Sequence, residues 1–422
     1  MRYLSALRCR GCGTEFPVEP AHVCDRCFGP LEVAFDYDAI AANVTRASIA
    51  AGPSTLWRYR DLLPVPTDEP FTPVHLGGGL TPLTPAPRLA EALGLDDLWL
   101  KNDTVNPTWS FKDRVVSVAL TAGRVLGFDT VACASTGNLA NSVAAHAASA
   151  GLNAYVFIPH DLEHTKVLAS AVYGPNLIAV KGNYDDVNRL CSEIGDKYGW
   201  AFVNVNLRPY YAEGAKTHGF EIAEQLGWEL PQHVVVASAG GTILPKLAKG
   251  FQELIKVGLV KDTGCKIYSA QAAGCAPIIN ALHKGTDLVE PVKPNTIATS
   301  IAIGNPADGY YVIQAVREFG GWGESVADEE ILEGIKLLAR SEGIFTEPAG
   351  GTEVAVAKKL IESGRIPRDE SIVVSITGNG YKTLEAVAQS VEKPYRISAT
   401  LENFDGLYRD LNAPFAARAL AS

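Results

Sequence analysis

An α/β fold, with two mainly parallel sheets carrying helices on both faces, is predicted by three features of this 422-residue chain. Short apolar runs alternate with helical patterns of ten or more residues across its middle and C-terminal parts, the signature of parallel strands joined by helical crossovers. Glycine- and hydroxyl-rich loops follow several of those runs and open directly into helices. Four cysteines near the start, Cys9, Cys12, Cys24 and Cys27, form two Cys-x2-Cys pairs separated by eleven residues, which predicts a small zinc-ribbon-like element ahead of the α/β body.

Taken in order, residues 1–45 form that cysteine-bearing leader. Residues 46–75 contain Pro53, Pro64, Pro66, Pro70 and Pro73 and are expected to be an extended wrap. Gly77-Gly78-Gly79-Leu80-Thr81-Pro82 leads into the body. Strands are expected at Leu98-Trp99-Leu100 and over residues 130–134, 154–158, 177–180, 201–203, 234–237, 266–270 and 371–376. The expected divisions are the leader 1–45, a large domain made of 46–110 plus 206–392, a smaller α/β domain over 111–205, and a tail over 393–422.

Composition narrows the function. With 47% hydrophobic and 20% charged residues the chain is an ordinary globular protein, and its net charge of −10 offers no general field for nucleic acid or acidic membranes. No apolar run reaches membrane-spanning length and the N-terminus lacks an apolar signal core, so the expectation is a cytoplasmic protein with no nucleic-acid or membrane partner. There is no Gly-x-Gly-x-x-Gly in a strand–helix setting and no Walker-type loop, which argues against a nicotinamide or ATP enzyme. Cys133, Cys191, Cys265 and Cys275 are expected to be reduced thiols in or near the core, and His146, in an alanine-rich helix, a packing residue.

The chemistry is concentrated in two loops. Pro107-Thr108-Trp109-Ser110-Phe111-Lys112-Asp113-Arg114 places a lysine where a loop turns into a helix, beside the positive end of the helix dipole, which favours the free amine. A free lysine amine is what Schiff-base chemistry on an aldehyde requires. Ala134-Ser135-Thr136-Gly137-Asn138 offers backbone N–H groups, two hydroxyls and an amide at another helix start, a set suited to a carboxylate. Each alone is more often a surface lysine or a plain helix cap; the conjunction carries the signal.

Ser-Phe-Lys-Asp-Arg followed by Ser-Thr-Gly-Asn resembles the fold-type-II pyridoxal-phosphate enzymes and, within them, the threonine synthase family. The resemblance runs on through Asn206-Leu207-Arg208-Pro209-Tyr210-Tyr211, Ile303-Gly304-Asn305-Pro306-Ala307-Asp308, Phe345-Thr346-Glu347 and Thr377-Gly378-Asn379-Gly380. It implies a tryptophan-synthase-β-like fold and pyridoxal 5′-phosphate as cofactor, with a small phosphorylated amino acid as substrate and a homodimer as the assembly. It also implies Lys112 as Schiff-base lysine and general base, and Asn138 against the cofactor's ring oxygen. The phosphate loop would be Ala239, Gly240, Gly241, Thr242 and Ile243, and Thr377 would face the pyridine nitrogen. Ser135, Thr136 and Gly137 are then expected to hold the substrate carboxylate, and Lys101, Asn206, Arg208 and Lys216 its leaving phosphate. The implied reaction converts O-phospho-L-homoserine to threonine; the alternative is β-replacement or elimination on O-phosphoserine or serine. Three departures from the family pattern keep that alternative open: the bulky Trp109 three residues before the lysine, Gly240-Gly241-Thr242 where many members have serine-glycine-serine, and Glu347-Pro348-Ala349 where relatives have a residue other than proline; in addition, Tyr211 stands where some members carry arginine.

Overall fold

The computed structural model describes residues 3–66, 70–135, 137–160, 164–181 and 184–412. In chain order its strands are β1 (Leu4–Cys9), β2 (Glu15–Phe16), β3 (Leu31–Phe35), β4 (Leu83–Pro85), β5 (Leu98–Asn102) and β6 (Thr130–Ala134). They continue with β7 (Asn153–Pro159), β8 (Asn176–Val180), β9 (Ala201–Phe202), β10 (His233–Ala237), β11 (Lys266–Ala272), β12 (Gly323–Val326) and β13 (Ile372–Ile376). Two compact units are formed by residues 1–384 and 385–422. The first holds all three sheets; the second contains the helix Leu401–Asn412.

Two parallel sheets form the body, as the alternation of strand and helix predicts. The larger has strand order β12-β11-β10-β13-β5-β4, with only the edge strand β4 antiparallel to its neighbour; the smaller runs β8-β7-β6-β9. Every residue of β10 and β13 is buried, which is why both read as unbroken apolar runs. Two stretches depart from expectation. The strand β12, Gly-Glu-Ser-Val, lies at the sheet edge with its middle half-buried, so it lacks the apolar run that marks its neighbours. Residues 46–75 are not an extended wrap. They contain the helix Arg46–Ala50, whose Thr45 and Ser48 form a capping box, and a 3₁₀ segment Leu56–Leu62 that buries Leu56, Trp57, Tyr59 and Leu62. The prolines flank these short elements instead of preventing them.

The leader is a three-stranded antiparallel sheet, β2-β1-β3, whose Leu7, Val33 and Phe35 join the main core. Ion pairs bind it to the body: Glu32 meets Lys246 at 3.2 Å, and Lys246 meets Glu213 at 2.7 Å. Burial alone would raise the Glu32 carboxyl, but Lys246, Lys249 and Arg10 outweigh it and hold it at about 2. Inside the body, Glu221 is likewise held at about 2, burial being outweighed by Arg114 and Lys101.

Both carboxyls therefore have folded-state values below their ordinary ones. Their contribution is complete above about pH 5 and disappears as the pH falls toward 2. For Glu221, with no exposed side-chain surface, the contribution is on the order of 3 kcal/mol. The urea midpoint should hold between pH 7 and 5 and drop steeply below 4.5. A midpoint independent of pH down to 3 would contradict the pairing.

Candidate functional site

The site forms where strands of both parallel sheets end. The chain leaves β5 through Asp103, and an isolated bridge between Ser110 and Gly378 lashes the next loop to the end of β13, with the Phe111 N–H donating to the Thr377 carbonyl at 2.9 Å. The helix Lys112–Val125 starts at once, so Lys112 sits at its first turn, half-buried. Arg114, two residues on, is wholly buried and gives Nε and Nη2 to Asp103 at 2.7 Å each and Nη2 to Glu221 at 2.8 Å. The lysine is thus set on a backbone held from both sides.

Around Lys112 the structure gathers Asn138, Glu347 and Tyr211. The Asn138 amide nitrogen donates to both Glu347 carboxylate oxygens at 3.1 Å. Lys112 Nζ donates to the Tyr211 phenol oxygen at 3.2 Å and lies 5.6 Å from the centroid of the Phe111 ring. Burial pushes the Glu347 carboxyl above its ordinary range, against the pull of Lys382, Asn138 and Lys112. Burial lowers the Lys382 ammonium to about 8, and Lys382 donates to the Thr108 carbonyl at 2.8 Å. Glycine at 378 leaves room for the Glu347 carboxylate, which a Cβ there would crowd. Trp109 has φ 63° and is half-exposed, and its ring lies against Tyr381 at 6.4 Å. A non-glycine residue in that conformation stores local strain, as functional loops commonly do.

The loop after β10 could receive an anion. Ser238, Ala239, Gly240, Gly241 and Thr242 lead into the helix Ile243–Lys256, whose first N–H groups are capped by no side chain. A Cβ on Gly240 would meet nothing within 4 Å, so open space lies beside the backbone, whereas Gly241, at φ 94°, lies against the Asp308 backbone. Uncapped N–H groups at the positive end of a helix, with a glycine-lined space before them, match a phosphate. Thr377 is half-buried at the end of β13.

The expected phosphate-binding cations are mostly occupied elsewhere. Lys101 is fully buried, with Nζ 2.7 Å from Glu221 and bonded to the Thr81 carbonyl and Gln225. Lys216 is equally buried, with Nζ 2.7 Å from Glu253 and 2.9 Å from the Leu62 carbonyl. Both ammoniums, expected to meet a substrate phosphate, are placed by the structure against carboxylates in the core. Asn206 closes its own turn, accepting from the Phe202 N–H at 2.8 Å and donating to the Trp200 carbonyl at 2.9 Å. Arg208 is partly exposed and pairs with Asp308 at 2.8 Å beside Gly241 and Thr242. In the second loop the Ser135 hydroxyl accepts from the Gly137 and Ala140 N–H groups at 3.2 Å each, capping its helix. Thr136 lies outside the described residues. Glu347 and Lys382 received no role from the sequence; Glu347 lies within a block of the resemblance, but nothing local signalled that Asn138 would reach it across 209 residues.

The leader cysteines converge as well. All four sulfurs lie within 4.8 Å of one another, with Cys9 and Cys27 at 3.4 Å and Cys12 and Cys24 at 3.7 Å. A tetrahedral ZnS₄ centre with bonds of about 2.3 Å has S···S edges of about 3.8 Å. The Gly11 and Arg26 N–H groups point at Cys9 and Cys24 at 3.3 and 3.4 Å, as they do toward metal-bound thiolates.

Residues 74–378 match the family model described as "Pyridoxal-phosphate dependent enzyme". The chain is 37% identical over 406 residues to a threonine synthase of Methanocaldococcus jannaschii, covering 96% of this chain and 99% of that protein. It is 38% identical over 403 residues to a threonine synthase of Methanosarcina acetivorans, covering 94% and 96%. Among solved structures, maize serine racemase superposes with a TM-score of 0.63 at 21% identity, over 74% of this chain and 91% of that one; the likeness is one of fold.

The two loop glycines predict contrasting variants. Gly240→Ala fills open space, so it should fold with an unchanged melting temperature yet retain pyridoxal phosphate poorly after dialysis. Gly241→Ala forces a side chain onto the Asp308 backbone at positive φ and should lose on the order of 2 kcal/mol of stability. Thermal melts and cofactor absorbance separate them, and equal cofactor retention by Gly240→Ala and the parent would remove the loop from the site.

Proposed function

The chain belongs to the family of pyridoxal-phosphate dependent enzymes, and on that premise we propose that it is a threonine synthase, converting O-phospho-L-homoserine and water to L-threonine and phosphate. The observation that carries the proposal is the end-to-end likeness to the two archaeal proteins of that name. The arrangement around Lys112 supports it. The open loop from Ala239 to Ile243 would hold the cofactor's phosphate, Asn138 would meet its ring oxygen, and Thr377 would meet the pyridine nitrogen. When bound, the cofactor supplies an electron sink for the substrate's α-carbon.

The chain's own groups supply the rest. Lys112 Nζ takes the proton from Cα and later from Cβ, carrying it as an ammonium. The hydroxyl of Thr377, offered in place of a carboxylate, leaves the ring nitrogen largely unprotonated, which favours elimination over transamination. Asn138 is oriented by the Glu347 carboxylate that accepts both of its bonds. Arg208 is the cation left to meet the departing phosphate, in exchange for Asp308. The reading includes a cytoplasmic homodimer working on small molecules. Its small-molecule part accords with the net charge of −10, and among the described residues no helix is long and apolar enough to cross a membrane.

Borohydride reduction and peptide mapping should place the pyridoxyl label on Lys112; a label on Lys101 would overturn the assignment. Mass spectrometry should then find threonine and phosphate from O-phospho-L-homoserine. Turnover of O-phospho-L-serine alone would replace the reading with β-replacement or elimination.

Cys9, Cys12, Cys24 and Cys27 bind one structural Zn²⁺ in the same reading. Four thiolates fill a tetrahedral shell and leave no position for water or substrate. Cys24→Ser should lose zinc and lower the melting temperature while kcat per folded enzyme stays within a few-fold. Protein purified under reducing conditions without metal would refute the zinc assignment, and a normally folded but inactive variant would refute its structural character.

A further inference from the structure

We propose that Tyr211 is a catalytic residue of this site, relaying protons to and from the amine of Lys112. The inference rests on the reading of Lys112 as the cofactor lysine. Its observation is the hydrogen bond from Lys112 Nζ to the Tyr211 phenol oxygen at 3.2 Å. The Tyr211 side chain is almost wholly buried, and among the described residues Lys112 is the partner of its hydroxyl. Among the described residues, then, no acceptor takes the phenol proton, which leaves it for the substrate.

The geometry around the pair is rigid. Tyr211 lies in the helix Arg208–Gly214, which begins with Pro209 in its first turn and packs against the helix that starts at Lys112. A Cβ on Gly214 would stand 2.6 Å from the Arg114 carbonyl oxygen, so glycine at that position is what allows the two helices to meet this closely. On the outer side, the Tyr210 hydroxyl donates to the Glu19 carbonyl at 2.8 Å. The phenol and the amine are therefore presented by two closely packed helices. Phe111 and Tyr211 both flank Nζ, at 5.6 and 5.9 Å from the ring centroids, and their π faces favour the amine when it is charged.

The relay balances. Lys112 takes a proton from a substrate carbon, breaking a C–H bond and forming an N–H bond, with the electron pair left on carbon. The ammonium then passes a proton to the phenol oxygen while the phenol gives its own proton to the substrate position being protonated. Tyrosine begins and ends neutral, and the amine is restored for the second abstraction. A lysine that removes two protons in one turnover must unload the first, and Tyr211 is the group in contact with it.

Tyr211→Phe deletes the hydroxyl and keeps the ring. The holoenzyme should bind cofactor, melt within a few degrees of the parent and still be labelled by borohydride at Lys112. Exchange of the α-proton of L-threonine in D₂O, followed by NMR, should slow by about tenfold or more, since proton transfer by a placed side chain is worth 10²–10⁴ in rate. Its pH profile should be displaced, and kcat for O-phospho-L-homoserine should fall with KM changed less than about threefold. Unchanged exchange with an unchanged pH profile overturns the relay. A raised KM with unchanged exchange also overturns it, and makes Tyr211 a substrate contact. A borohydride label elsewhere than Lys112 in the parent enzyme defeats the underlying reading instead, whatever the variant does.

Discussion

Arg114 is the side chain through which the segments that build the site are tied together. Its guanidinium holds Asp103 after β5, Glu221 and Thr217 on the helix Lys216–Gln225, and Thr81 from the glycine-rich lead-in. Lys101 closes the set on Glu221, giving two cations and two carboxylates with no side-chain exposure. Such a cluster is a poor source of net stability, since desolvation offsets most of the attraction. Its effect is on specificity: removing one member leaves a buried charge unpaired, at roughly 3–5 kcal/mol, so one arrangement of these segments is much preferred. Lys112 lies two residues from the guanidinium and inherits that definition.

The same constraint explains which parts of the protein were legible in its sequence. The parallel strands could be read because both their faces are buried, which leaves unbroken apolar runs such as Val234-Val235-Val236. Lys112, Asn138 and the glycine loop could be singled out as candidates because each lies at a turn into a helix with its own local chemistry. The core pairing of Lys101 and Lys216 could not be read from the sequence, for a reason that recurs with buried ions. A lysine near a phosphate motif looks like a ligand, and a carboxylate that takes up its charge can lie far away in sequence: Glu221 is 120 residues from Lys101, and Glu253 is 37 from Lys216, which also pairs with the nearby Glu213. The edge strand β12 and the short helices of residues 46–75 were missed because neither carries a periodic apolar pattern long enough to outweigh its polar residues or prolines.

Tyr211 was legible only as a departure. An aromatic residue after Pro-Tyr reads as core packing, and most of its ring does pack. Its significance comes from one polar atom placed beside Nζ by a helix–helix contact that no spacing rule reveals. Glu347 is the complementary case, a carboxylate whose burial becomes meaningful only once Asn138 and Lys112 are seen to face it.

The leader bears on the same helix from its other side. Glu32 on β3 meets Lys246 and Lys249, and both lysines meet Glu213, which lies two residues beyond Tyr211. Lys249 also donates to the Val33 carbonyl at 3.0 Å. The helix Arg208–Gly214 is thus braced outwardly by charge and inwardly by the close approach to Arg114, with its phenol directed at the lysine between them. The brace comes chiefly from β3, which pairs with β1 along Leu31–Phe35, and less from the cysteine loops. A metal held by those loops would order a segment too short for a core of its own, whereas the ion pairs that reach the helix come from Glu32 on β3. On the proposed zinc reading, this division would let the metal contribute to stability with little effect on rate.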